Sequence, residues 1–212
     1  MSISSITQSA RALSQAGVAF APDIAAAAAK YGLDPRLLAA VAAQETGGPG
    51  SNAGRNIVGD GGHGHGVFQI DDRFHAFANS AAAMQPRANA DYAAGMIAGL
   101  LKRYGGDVHE ALSAYNAGSP RATGTVTQWT DGARLGYADS VLRHYANLAC
   151  TTQQALTEDA SAESPSERRS VNALFSFASM QPPPAPQSTH HRPQDCAVDF
   201  GSIIFSGEDS SS

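Results

Sequence analysis

Apolar residues recur at helical spacing through most of the first 150 residues, and Gly, Pro and Asp punctuate the segments. Pro22 to Tyr31 is an Ala-rich helix stopped at Gly32. Asp34-Pro35 opens the next, because Asp caps helix N-termini well and Pro suits the first helical position. That helix runs through Leu37, Leu38, Val41 and Ala42 to Glu45 and ends before Gly47-Gly48-Pro49. A third spans Asn89 to Tyr104, with Met96, Ile97, Leu100, Leu101 and Tyr104 on one face. Asp107 to Glu110 forms a capping box for a fourth, which reaches Tyr115 and stops at Gly118. Arg134 to Leu148 is a fifth, striped by Val141, Leu142, Tyr145 and Leu148. Between the second and third lies a Gly-rich stretch, 47–66, followed by Val67 to Asp71, whose short alternation predicts a small strand or hairpin. The expected fold is mainly α, of α+β type, with a small β hairpin or sheet.

Composition changes near residue 150. Beyond it the chain turns Ser-, Glu- and Gln-rich and carries Gln181-Pro-Pro-Pro-Ala-Pro186, which favours extended polyproline geometry. Three units are expected: an N-terminal segment 1–20, a folded domain 21–150, and a poorly structured acidic tail 151–212 with two short apolar clusters, Val171–Phe177 and Ile203–Phe205. Residues 1–150 hold 11 basic and 11 acidic residues, whereas 151–212 hold 3 and 8, so the net charge of −5 lies in the tail. Neither part has the basic patch that nucleic acid or anionic lipid requires. No apolar run approaches the ~20 residues of a membrane span. The first ten residues lack the basic flank of a secretory signal, so none is read there. Cys150 and Cys196 are either free thiols or a disulfide pinning tail to domain. His63-Gly-His65, with His75 beyond, is poor geometry for a metal centre, and no metal or cofactor is expected.

The candidate chemistry begins at Glu45. Leu37, Val41 and Glu45 are spaced by four, which puts a carboxyl on an inward-facing stripe. It also sits in a last helical turn, where the dipole opposes negative charge. Burial and dipole both favour the protonated form, which a general acid needs near neutral pH. Asp60 and Asp71 flank a glycine-rich loop of the kind that lets backbone approach a ligand. Either is placed to be the second carboxylate of an inverting glycosidase, which holds a water across from the acid. Trp129, the only tryptophan, reads as a core residue before a sugar platform.

Four elements, in order, carry a family likeness: Val41-Ala-Ala-Gln-Glu45-Thr46; Gly59-Asp60 through His65-Gly66-Val-Phe-Gln69-Ile-Asp71; Ser113-Ala-Tyr115-Asn116-Ala-Gly118; and Tyr137-Ala-Asp139. The set resembles goose-type lysozymes, within the broader group of soluble lytic transglycosylases, over roughly residues 20–148. The resemblance implies a lysozyme-like fold whose cleft binds glycan strands of alternating N-acetylmuramic acid and N-acetylglucosamine. It implies Glu45 as the acid, Asp60 and Asp71 as holders of the attacking water, and Gln69, Asn116, Tyr115 and Tyr137 as cleft residues contacting the sugar or the acid. The family's Ser after the catalytic Glu is Thr46 here, which keeps a hydroxyl and is expected among the substrate-binding residues. The loop from Glu45 to Asp60 is slightly longer than the family's.

The leading expectation is a muramidase that hydrolyses the β-1,4 bond between N-acetylmuramic acid and N-acetylglucosamine with inversion. The alternative is a lytic transglycosylase giving 1,6-anhydro products, in which the sugar's own 6-hydroxyl attacks and one Glu suffices. A sugar-binding module that has lost activity is the third reading, and retention of all three carboxyls argues against it. The expected partners are peptidoglycan glycan strands, acted on by a monomer. A wall-cutting enzyme read as lacking a signal peptide needs delivery, either through phage-type lysis or by injection through a type VI apparatus. Injection implies a cognate immunity protein that plugs the cleft.

Overall fold

The computed structural model describes residues 2–162, and the side chains of 2–153. Six α-helices form the frame: α1 (Ile3–Gln15), α2 (Ala21–Tyr31), α3 (Pro35–Ala42), α4 (Pro86–Arg103), α5 (Val108–Ala117) and α6 (Tyr137–Ala162). The mainly α expectation with a small β part holds. α3 is the axis of the core. Every residue from Leu37 to Ala43 is buried, as befits a helix that is apolar all round. α3 packs on α6 and α2, while α2 also packs on α1 and α4.

Local chemistry sets several ends. Asp34 Oδ1 accepts from Arg36 N–H at 2.8 Å, capping α3, and Asp107 accepts from Glu110 N–H at 2.9 Å, capping α5. Gly32 and Gly118 stop α2 and α5 in left-handed conformation, at φ 68° and 71°.

Three differences from the sequence reading matter. The segment before residue 20 carries α1, whose Leu13 joins the core beside Val18 and Ala21. The second helix does not run as α-helix to Glu45: it widens after Ala42 into a π-helical turn, Ala43–Gly47. The fifth begins at Tyr137, because Arg134–Leu135 pairs as strand β5 with β4 (Thr127–Gln128). The predicted hairpin is a three-stranded antiparallel sheet in the order β1 (Ile57–Gly59), β2 (Gly64–Gly66), β3 (Ile70–Asp71). No described helix is long and apolar enough to cross a membrane. Cys150 is not a free thiol; its expected partner Cys196 and the apolar clusters of the tail lie outside the described residues.

Candidate active site

Glu45 sits in the π-helical turn, closed by the 2.9 Å bond from Gly48 N–H to the Ala43 carbonyl. Such turns splay a helix locally and re-aim side chains. Here the carboxyl leaves the stripe of Leu37 and Val41 and enters a cleft of about 1060 Å³. The turn is tied down on both sides. Gln44 donates to Thr127 Oγ1 at 2.7 Å and accepts from Ser140 Oγ at 2.6 Å. Thr46, 4 % exposed, accepts from Arg55 N–H at 2.8 Å, and its hydroxyl lies 3.1 Å from the Val67 carbonyl. The expected substrate-facing Thr46 is therefore behind the acid, hanging the 48–56 loop and the β2–β3 connection on the turn.

Burial pushes the Glu45 carboxyl up to about 7, against the opposing effect of a 2.6 Å hydrogen bond donated by Tyr137 Oη. Tyr137 is itself 1 % exposed, so it lies beneath the acid, not in the cleft. Tyr115 stacks beside it, ring centroids 6.3 Å apart, and donates to the Phe68 carbonyl at 3.1 Å. Burial first, and the nearby Glu45 second, hold both phenols well above the usual tyrosine range, so both remain donors. Tyr137→Phe removes a donor that favours the carboxylate form. The Glu45 pKa should then rise above about 7, and the alkaline limb of the pH–rate profile should move up by up to one pH unit; an unmoved limb would discount the contact.

Glu45, Asp60, Gln69, Asp71, Tyr115 and Asn116 all line the one cleft. Asp60 and Asp71 converge on Arg73, which the sequence reading passed over. Arg73 Nε donates to Asp71 Oδ1 at 2.9 Å, and its Nη2 bonds both carboxylates. The hydrogen bonds from Arg73 hold Asp71 down to about 2, so it stays ionised at mildly acidic and neutral pH. Asp71 is the more sheltered of the two, with its side chain 22 % exposed against 63 % for Asp60. The adjacent Asp72 bridges His63 Nδ1 at 2.8 Å and His65 Nε2 at 3.1 Å. It thereby closes the loop that carries Asp60 onto β3, and the described residues contain no cluster of three potential metal ligands.

Gln69 and Asn116 face the cleft with amides already engaged. Gln69 Nε2 donates to the carbonyls of Gly66 (2.8 Å) and Ile57 (3.1 Å), while its Oε1 lies so close over Gly59 and Gly64 that neither position has room for a Cβ. Asn116 Oδ1 accepts from Thr125 N–H at 2.8 Å. Both therefore shape the cleft walls; the Asn116 amide nitrogen keeps its donors for an incoming carbonyl. Trp129 is core, 4 % exposed, donating to Ser140 Oγ at 3.0 Å.

Residues 23–134 match the family model described as the transglycosylase SLT domain. The matched span takes in Glu45, Asp60, Asp71 and Asn116 and stops short of Tyr137. No curated protein and no solved structure matches the chain.

Proposed function

The chain belongs to the transglycosylase SLT domain family, of lysozyme-like enzymes that cleave peptidoglycan, and from that premise we propose that it is a muramidase with Glu45 as its general acid. The observation that carries the reading is a sheltered carboxyl, pushed up to about 7, sharing one cleft with Asp71, which Arg73 holds down to about 2. Glu45 keeps its proton toward neutral pH while Asp71 stays charged, which is the division of labour that acid-assisted glycoside cleavage needs.

Protonated Glu45 gives its proton to the glycosidic oxygen as the bond from muramic acid C1 breaks, and the leaving N-acetylglucosamine takes that proton as its 4-hydroxyl. A water oriented by Asp71 attacks C1 from the opposite face, and its proton passes to solvent through the carboxylate. With a pKa of about 2, Asp71 is a weak base. It orients the water more than it strips it, and Arg73 fixes that orientation.

A second reading, lytic transglycosylation, is favoured by the family match and by Arg73, which already engages both aspartates. In that case the muramic acid 6-hydroxyl attacks its own C1, and Glu45, deprotonated by the first step, takes the hydroxyl proton. Mass spectrometry of muropeptides released from purified sacculi separates the two. Hydrolysis is expected to leave reducing-end muramic acid, whereas 1,6-anhydro ends are lighter by one water. Anhydro products alone would overturn hydrolysis, and no soluble product would overturn both. Use against another cell, with a cognate protein occluding the cleft, rests on the neutral domain and acidic tail. Binding of a small neighbouring-gene product to the purified chain tests it.

A further inference from the structure

Asp60 is carried by a turn that its own sequence leaves loose. It is followed by Gly61 and Gly62, at φ +64° and +111°, and itself stands at +47°. The freedom of glycine lets the chain make this turn but does nothing to keep it in one shape. The Asp60 side chain is mostly exposed, and what it meets in the cleft is the Arg73 guanidinium. Asp71 is different: β3 ties it to the middle strand through the Gly64–Asp71 pair. Asp60 therefore reaches the cleft only as precisely as its turn is held.

The turn is held from behind. His63 N–H donates to the Asp60 carbonyl at 3.2 Å and closes it, while the His63 carbonyl accepts from Asp72 N–H at 3.1 Å. The Asp72 carboxylate then takes two imidazoles, one on each oxygen: His63 Nδ1 at 2.8 Å and His65 Nε2 at 3.1 Å. These hydrogen bonds, His63 first and His65 second, lower the Asp72 pKa. An ionised carboxylate only accepts, so both ring atoms carry a hydrogen. His65 is fixed in the middle strand, between Val58 of β1 and Ile70 of β3. It orients Asp72, and Asp72 grips the end of the turn. Asp60, Asp71 and Arg73 line the cleft, whereas His63, His65 and Asp72 do not.

We propose that Asp72, gripped by His63 and His65, is a positioning residue that sets Asp60 against Arg73 and so fixes the water-holding side of the cleft. The clamp rests on the hydrolytic reading, in which Arg73 fixes the orientation of Asp71. A guanidinium is planar and its bonds to carboxylates are directional, so a second carboxylate removes freedom that one leaves. With the clamp cut, the glycine turn carries Asp60 away and Arg73 is held from one side alone. The Asp71 carboxylate then loses the alignment on which the water depends. The rate falls and binding does not, since no side chain of the clamp lines the cleft.

The test is a double-mutant cycle in the full chain, with soluble peptidoglycan strands as substrate and the chemical ends of the products identified. Asp72→Ala is expected to lower kcat about fivefold, the upper range for a part-exposed ion-pair contact, and to leave KM within twofold. In a chain already carrying Asp60→Ala, the same change is expected to cost nothing further. His63→Ala, at a half-exposed position, tests the clamp should Asp72→Ala fail to fold. It is expected to lower kcat as well, whereas His63→Asn, whose amide donates from nearly the place of Nδ1, is expected to restore it. Undiminished kcat in Asp72→Ala and His63→Ala, or in Asp60→Ala itself, overturns the clamp alone. So does an equal fall with and without Asp60, or a failure of His63→Asn to restore the rate. If the wild type releases only 1,6-anhydro ends, the hydrolytic reading falls and the clamp with it.

Discussion

Glu45→Gln is expected to lower release of muropeptides from purified sacculi by about 10³-fold, the worth of a positioned general acid. The substitution is nearly isosteric, and the Gln Oε1 still accepts from Tyr137 Oη, now 2.6 Å from the acid. The loss therefore reports the missing proton and not a collapsed site. The same variant makes a second reading possible, of opposite sign. The carboxyl has an ordinary value of 4.5 and is pushed up to about 7 in the folded chain, chiefly by burial. Between those values the folded state holds a proton that the unfolded state has released. Stability from this group is thus fully present below 4.5, declines as pH rises to about 7, and stays low above that. The difference of 2.5 pH units corresponds to about 3 kcal/mol. Glu45→Gln is then expected to match wild type near pH 4 and to exceed it by up to about 3 kcal/mol at pH 8, measured by urea unfolding at both values. An inactive variant with no gain at pH 8 would mean that the carboxyl is well hydrated and that its acidity is tuned elsewhere.

The same residue shows how far sequence reasoning reaches. A carboxyl at four-residue spacing from Leu37 and Val41 was legible as an anomaly. The π-helical turn that turns it into the cleft was not, because Ala43–Gly47 contains nothing that periodicity distinguishes from an ordinary helix end. Capped helix starts at Asp34 and Asp107 were readable since both signals are local. α1 was within reach: Ile6, Ala10 and Leu13 are spaced by four and three, although Ser, Thr and Gln dilute the stripe. The limits of the last helix were not within reach, because Arg134–Leu135 becomes a strand only by pairing with Thr127–Gln128.

Within the site, the sequence identified residue types better than partners. Asp60 and Asp71 were singled out, and both line the cleft with Glu45. Arg73 was missed although Asp71-Asp72-Arg73 places a cation two residues on, the spacing at which its guanidinium folds back on the Asp71 carboxylate. Phe74 gave no signal, since one aromatic among polar neighbours is common on any surface. Gln69 and Thr46 were read outward as sugar contacts, yet their polar atoms answer backbone groups of the sheet and the 48–56 loop. Such pairings join segments far apart in the chain, and spacing cannot show them.

Asn89 is the strongest instance, and its replacement carries the largest expected effect on stability. It lies in the first turns of α4 and is fully buried. Its Oδ1 accepts from Phe68 N–H at 2.8 Å and its Nδ2 donates to the His65 carbonyl at 3.0 Å. One amide thus satisfies the backbone on either side of Gly66 and Val67, where β2 leaves the sheet toward Gln69 and Asp71. Gly66, at φ +80°, lies so close over this amide and the Ala83 carbonyl that a Cβ would collide with both. Asn89→Ala leaves two buried backbone groups without partners, at about 1–3 kcal/mol each. Allowing for water entering the space, a loss of about 3 kcal/mol is expected, or a fall in Tm of roughly 6–12 °C for a domain of this size. Arg87→Gln, exposed in the first turn of α4, is expected to stay within about 0.5 kcal/mol. The substitution also slackens the strand that presents Asp71. At a temperature where Asn89→Ala is still fully folded, muropeptide release should therefore fall as well. A folded variant of undiminished activity would show that α4 stabilises the sheet without positioning the carboxylates.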